Sequence, residues 1–530
     1  MKNTRRQILL GLAPAAGAVA APAPNRAAAV RSALFNVRDY GAVGDGTRMN
    51  TKAIQDAVDA CARAGGGTVL IPAGRYLSST IVLQSHVMIE LASGATLLGS
   101  SNLADFPVHV PKRRSYTDVY VDRSLIYAEN AENIGICGRG TIDGQGAAYK
   151  DRRYMIRPYI IRCIECRGVS VSGVTILNSP MWVQHYLACD DVSIHGISVH
   201  SVVNANNDGI DIDCCQRVRI SDCEIVSGDD AIVLKATSDR PCRDVTVTNC
   251  VLSTRCNALK LGTESNGGFE NIAISNCTIY DTRLAGIALE MVDGGRLDRV
   301  AISNIAMHNV SAPIFIRLGD RGRPFVTGGP RPPAGSLANV VISNVEAVSS
   351  RVTGCAIAGL AGHAMENVTL ENIRLVFPGG GTAADARRAV PENADKYPEY
   401  AMFGTLPAYG FYCRHVNGLR LRNIVTRFDG AEERPALVCD DVEGLDLADS
   451  AFAGAAEGEP AIRFADVRDA FVHGCRTPAA VQTWLQVTGG ASGRITVMGN
   501  DLQRAAKAVD ATAGVPDGAV FQEGNRLKAG

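Results

Sequence analysis

Five segments of the chain repeat one short pattern: GIDID at Gly209–Asp213, AIVLK at Ala231–Lys235, ALKLG at Ala258–Gly262, GIALE at Gly286–Glu290 and PIFIR at Pro313–Arg317. The second and fourth residues of each are aliphatic, from Ile210/Ile212 to Ile314/Ile316. Between and after them stand Asp211, Asp213, Lys235, Lys260, Glu290 and Arg317. Side chains of a strand alternate between two faces. Five strands therefore send two aliphatics each inward and present a column of mixed charge outward.

A second motif marks the same rungs. It opens on Asn, Asp, Gly or Arg followed by alternating aliphatics, at Asn133, Gly168, Asp191, Arg217, Asp244, Asn271, Arg299, Asn339, Asn367, Gly418 and Gly444. From Asp191 to Arg299 its spacings are 26, 27, 27 and 28 residues. Longer intervals at Arg299–Asn339 and Asn367–Gly418 read as loop insertions. Repeats of this length mean a solenoid, propeller or array, and a propeller blade needs about 40 residues. Each period here holds two or three short strands and no helical pattern. The expectation is an all-β, single-stranded, right-handed parallel β-helix, the hand following from the bias of parallel crossovers. One helix is expected near the start, capped by Thr51, with Ile54, Val58 and Cys61 on one face. It would cover the N-terminal end of the solenoid, whose edge otherwise invites aggregation. The β-helix is expected over residues 33–530, with a loop insertion near 379–412.

Residues 1–25 read as an address. Arg5-Arg6 precedes the apolar run Ile8–Leu12, and Ala18-Val19-Ala20 offers a cleavage site. The paired arginines suggest twin-arginine export, to the periplasm or beyond. A net charge of −1 on 530 residues gives no sign of a nucleic-acid or membrane-surface partner, and no later segment is apolar enough to span a bilayer. A monomer is expected. Among sixteen cysteines, Cys223, Cys250 and Cys277 recur at one repeat position, so they read as stacked apolar fillers. A disulfide at Cys214/Cys215 or elsewhere stays open.

The residue before each of the five strands reads Asp208, Asp230, Asn257, Ala285 and Ala312. Asp208 and Asp230 then lie one coil apart, Asp229 adds a third carboxylate, and Asp211 and Asp213 face the same patch. Crowded carboxylates raise one another's pKa, so one can hold a proton while another stays ionised. A general acid working with a general base requires this, and glycoside hydrolysis uses such a pair. The alternatives are turn residues, which Asn-Asp-Gly and Gly-Asp-Asp favour, or a calcium site. No metal and no cofactor is assigned.

These motifs together resemble glycoside hydrolase family 28, the polygalacturonase-like group of the pectin-lyase-type parallel β-helices. The resemblance runs from about Phe35 to Leu447. It rests on NVRDYGAVGDGT at Asn36–Thr47, SPMWVQH at Ser179–His185, NNDGIDI at Asn206–Ile212 and GDDAIVLK at Gly228–Lys235. It implies inverting hydrolysis, with Asp229 as general acid and Asp208 and Asp230 activating the water. Two motifs depart. The family's Gly-His-Gly aligns with Cys256-Asn257-Ala258, and its Arg-Ile-Lys aligns with Ala288-Leu289-Glu290. Those basic residues bind the galacturonate carboxylate in polygalacturonases, and a guanidinium or ammonium is what an anionic sugar needs. Glu290 would repel it, although Lys260 and Arg317 could compensate. The expected substrate is thus a pectin-type polysaccharide or oligosaccharide other than plain polygalacturonate, or one whose uronate sits in another subsite.

Further contacts are expected from Asn206, Asp211, Lys235 and Asn257, and from Trp182 with His185 as a sugar platform. Tyr409, with Tyr397, Arg414 and His415, flanks the long insertion. A polysaccharide lyase and a non-catalytic glycan-binding solenoid are the competing readings.

Overall fold

The protein is described by a computed structural model that covers residues 33–115, 121–149 and 156–527. The candidate export signal at residues 1–25 lies outside the described residues. The chain winds into a parallel β-helix whose strands form three ladders. The first contains Arg167–Ser172, Asp190–His195, Gln216–Ser221 and Cys242–Thr248. The second contains Thr175–Leu177, Ser198–Ser201, Glu224–Ser227 and Val251–Thr254. The third contains Tyr159–Ile164, Gln184–Leu187, Ile210–Asp213, Ile232–Ala236 and Leu259–Ser265. From Phe269 onward the coils run through long bent strands such as Phe269–Met291 and Arg296–Leu318, which pair in parallel.

The five repeated segments stack in register. Ile210 pairs with Ile232, Ile232 with Leu259, Leu259 with Ile287, and Ile287 with Ile314. All five are buried in the coil interior. The recurrent rung motif has a backbone cause. Its first residue adopts a left-handed conformation at each of the eleven positions, with φ between 51° and 72°. Asn, Asp and Gly tolerate that region best, which explains the composition of the motif. A second corner repeats the device at Asn249, Asn276, Asn304, Asn344, Asn372 and Asn423. There each amide donates to the preceding coil, as in Asn304 Nδ2 to Asn276 Oδ1 at 3.0 Å and Asn344 Nδ2 to Asn304 Oδ1 at 2.9 Å. Such ladders satisfy polar side chains at a turn without interrupting the stack.

The expected helix forms at Thr51–Arg63 and buries Ile54, Ala57, Val58 and Cys61. Its N-cap is Asn50 and not Thr51, which is the first helical residue. The Thr51 hydroxyl instead accepts the Ser79 amide at 2.7 Å, tying the helix to the first coils. All sixteen cysteines are free thiols, so no Cys214/Cys215 bridge forms. No helix among the described residues is long and apolar enough to cross a membrane.

Candidate active site

The third ladder carries the aspartates, and its backbone fixes their order. Val183 donates to the Asp208 carbonyl at 2.8 Å, Gly209 to the Asp230 carbonyl at 2.9 Å, and Ala231 to the Asn257 carbonyl at 2.9 Å. Asp208, Asp230 and Asn257 therefore occupy one column on successive coils. Gly209 is required beside Asp208, because a Cβ there would lie 2.5 Å from the Ala231 carbonyl oxygen. Asn207 secures the same turn, donating to the Ser179 and Met181 carbonyls at 2.9 and 3.0 Å. Asn206, at φ 56°, accepts from Arg157 Nη2 at 3.0 Å.

Asp229 and Asp230 share one turn but meet different surroundings. The Asp230 carboxylate accepts the Asn257 backbone and side-chain amides, both at 3.1 Å, and lies 3.1 Å from Lys260 Nζ. Burial opposes its ionisation, but Lys260 and Lys235 outweigh that and hold it below the usual carboxylate range. Asp229 makes no such ion pair among the described residues; it accepts the Asp230 amide at 3.0 Å. Burial and the adjacent Asp230 charge push it up. Asp229 is also the one of the three aspartates that is partly exposed, whereas Asp208 and Asp230 are buried.

The column expected to face outward is buried too. Lys235 Nζ lies 3.8 Å from Asp208, 3.7 Å from Asp211 and 3.6 Å from Glu264. Burial, with Asp211 and Asp229 close by, raises Asp208 well above the usual range, and burial also raises Asp211 against the pull of Lys235. Lys260 bridges Asp230 to Glu290, 3.4 Å away. Burial drives Glu290 up to about 7.

What covers this face comes from the two insertions. The segment after Leu318 supplies Arg321, which pairs with Asp293 and lies 3.6 Å from Glu264. Burial works against a charged Glu264, yet Lys235 and Arg321 pull it down to about 2. The 379–412 insertion places Glu399 Oε1 3.5 Å from Asn257 Nδ2 and the Tyr397 ring 5.7 Å from Lys260 Nζ. Burial and the Glu290 charge raise Glu399 to about 8. Glu264 sits in the strand Leu259–Ser265 just past the repeated segment, and Arg321 and Glu399 lie in insertions; none carries a repeat signal.

Four expected contacts are placed otherwise. Tyr409 points into the coil, where it packs on Phe377 and Phe428 and donates to the Ala453 carbonyl at 2.6 Å; it is a core residue. Arg317 is buried, and its guanidinium is spent on the Gly359 and Glu392 carbonyls, both at 2.7 Å, so it anchors the insertion and cannot compensate for Glu290. Trp182 is only 4% exposed, with Lys235 Nζ 4.7 Å over its ring. His185, fully buried, lies 3.2 Å from Asp213. Neither offers an open platform. Arg414 and His415 both contact Glu392 at the root of the insertion.

One group of donor atoms among the described residues, on Asp229, Asp230 and Cys256, falls within 4.8 Å. Three donors, one of them a soft thiol, are a poor set for a hard cation that takes about six to eight oxygens.

Comparison with known proteins extends the pattern. A grapevine (Vitis vinifera) protein named "Probable polygalacturonase" is 34% identical over 256 residues, covering 44% of this chain and 52% of its own length. "Exo-poly-alpha-D-galacturonosidase" of Dickeya chrysanthemi is 27% identical, over 53% of this chain and 56% of its own. The chain thus spans little more than half the length of these relatives. The solved family 28 exopolygalacturonase of Yersinia enterocolitica superposes with a TM-score of 0.62 at 21% identity, covering 78% of each chain, which supports the shared fold. The sequence profile described as Glycosyl hydrolases family 28 matches residues 61–394, more than half of the chain. The chain belongs to that family.

Proposed function

We propose that this protein hydrolyses a glycosidic bond by acid–base catalysis on Asp208, Asp229 and Asp230, with inversion at the anomeric carbon. One observation carries the reading: two adjacent aspartates are driven in opposite directions by their surroundings. Asp229, raised and partly exposed, is suited to hold a proton and give it to the leaving oxygen. Asp230, kept ionised by Lys260, is suited to polarise a water. The family resemblance gives Asp208, one coil away, a share in that task, which it can take only when deprotonated against the burial that raises it. Lys235, within 4 Å of both Asp208 and Asp211, limits the repulsion that so many carboxylates create.

The substrate belongs to the pectin class named by the relatives, but it differs from plain polygalacturonate at the cleaved residue. Glu290 replaces a cation, Glu399 adds a second carboxyl, and both Lys235 and Lys260 are already engaged by carboxylates. A uronate entering here would meet two carboxyl groups where it needs a guanidinium or ammonium. We infer further that the protein works after export, on the Arg5-Arg6 leader.

Product analysis over polygalacturonate, rhamnogalacturonan and neutral pectic side chains tests the reading. Proton NMR of the first product should show the inverted anomer. An unsaturated, ultraviolet-absorbing product that disappears with chelator would replace hydrolysis with lyase chemistry. Absence of turnover on the whole panel would leave a binding protein.

A further inference from the structure

The second ladder, which does not carry the aspartates, bears a long groove on its outer face. One side of its floor is the register column Tyr280, His308, Val348, Val376 and Arg427, one residue per coil. Two cavities of about 620 and 560 Å³ lie along it and share Val425, Arg427 and Arg476, so they form one channel parallel to the coil axis. It crosses the coils from Thr278 to Asp501, seven steps, or roughly 34 Å at about 4.8 Å per strand. The larger cavity is mostly apolar and open, with Val348 41% exposed, and the smaller one is mixed, with Thr477, Asp501 and Gln503 on its walls.

The charges on this groove are one-sided. Arg374, Arg427, Arg476 and Arg504 line it, against Glu346 and Asp501. Glu346 is engaged by Arg374 at 2.5 Å, and Asp501 accepts from Gln503 at 3.0 Å. Arg427 and Arg476 have no carboxylate partner among the described residues, and both are exposed. Long unpaired guanidiniums beside a floor that is apolar at one end and polar at the other complement a ligand with spaced carboxylates, hydroxyls and flat C–H faces. The catalytic face has the opposite balance.

We propose that this groove is a non-catalytic binding site for an extended carboxylate-bearing polysaccharide. It holds the protein on an acidic polymer while the third ladder acts on a different residue. A nucleic acid is the lesser fit: the chain is near neutral overall, and the arginines are too sparse to match a phosphate at every step.

Affinity electrophoresis in gels containing polygalacturonate tests this, using Asp229→Asn as the parent to hold turnover down. The parent should be retarded, with retardation weakening as salt rises, and gels with uncharged galactan should not retard it. Adding Arg427→Glu and Arg476→Glu should weaken binding at least tenfold, while the same pair in the wild-type chain leaves hydrolysis of a short oligosaccharide unchanged. Equal retardation of parent and triple variant would overturn the proposal. So would stronger retardation by single-stranded DNA that is lost with the same two arginines. The readout is binding, so failure of the hydrolase reading leaves this test intact.

Discussion

The Lys260 ammonium sits 3.1 Å from the Asp230 carboxylate, one coil behind it, and 3.4 Å from Glu290 on the coil beyond. One cation thus stands between a carboxylate held ionised and one raised to about 7. Lys260→Met should move the acidic limb of the kcat/KM profile to higher pH, because Asp230 loses the charge that favours its ionised form. Breaking a buried pair from one side also costs about 3–5 kcal/mol. Lys260→Arg should recover part of both. An unmoved acidic limb in the Met variant would separate Lys260 from the titration of Asp230.

Asp229→Asn should lower kcat by roughly 10²- to 10⁴-fold, the usual contribution of a general acid. Its stability should not fall. A carboxyl whose folded pKa lies above its unfolded value takes up protons on folding, so it favours the folded state less as pH rises from the unfolded value. The amide removes that penalty. Thermal melts at pH 7 should therefore show Asp229→Asn at or above wild type; a lower Tm together with retained turnover would reject both the role and the environment assigned here.

Glu290 and Glu399, raised to about 7 and about 8, have the same sign. The stability they allow is fully present below the ordinary glutamate pKa and is lost as pH climbs through 7 to 8. The Glu290→Gln/Glu399→Gln variant should thus lose less stability between pH 5 and pH 8 than wild type. Urea midpoints at the two pH values measure it, and parallel losses in both proteins would contradict the proposed environment.

Asn304→Ala should cost roughly 2 kcal/mol, from about 1 for holding a left-handed backbone without the local hydrogen bonding that an Asn side chain offers and about 1 for the lost ladder bonds. Asn304 holds φ 57° and bonds both Asn276 and Asn344. Asn304→Gly should restore the backbone share alone. Chemical denaturation of the two variants distinguishes the contributions, and identical midpoints would assign the whole cost to the side chain.

The coil was legible because its signals are local and repeated. Alternating aliphatics such as Ile232/Leu234 and the left-handed Asn corners impose the same choice every turn, so Asp208 and Asp230 could be placed in one column before any coordinates. The walls were not. Glu399 and Tyr397 reach the column from an insertion more than a hundred residues beyond Asn257, with no register to fix them. Tyr409 follows the same loop but re-enters the coil, and a place beside the insertion does not distinguish a core ring from a cleft ring. Arg317 has the right position in its strand, yet its donors are consumed by the Gly359 carbonyl of the next coil and the Glu392 carbonyl of the insertion.

The two left-handed corners have a consequence for how such a chain can change. Each turn of the chain returns to the same phase at fixed points, so residues added between a corner and the third ladder bulge outward and leave the pitch untouched. The separation of Asp208 from Asp230 is therefore set by the rise of hydrogen-bonded backbone and hardly at all by side-chain fit. The reacting groups behave like teeth on a rack of constant pitch, while the pieces that choose the sugar are interchangeable fittings bolted beside it. A histidine and a cation can give way to Asn257 and Glu290 on such a rack, and the spacing of the teeth need not be found again.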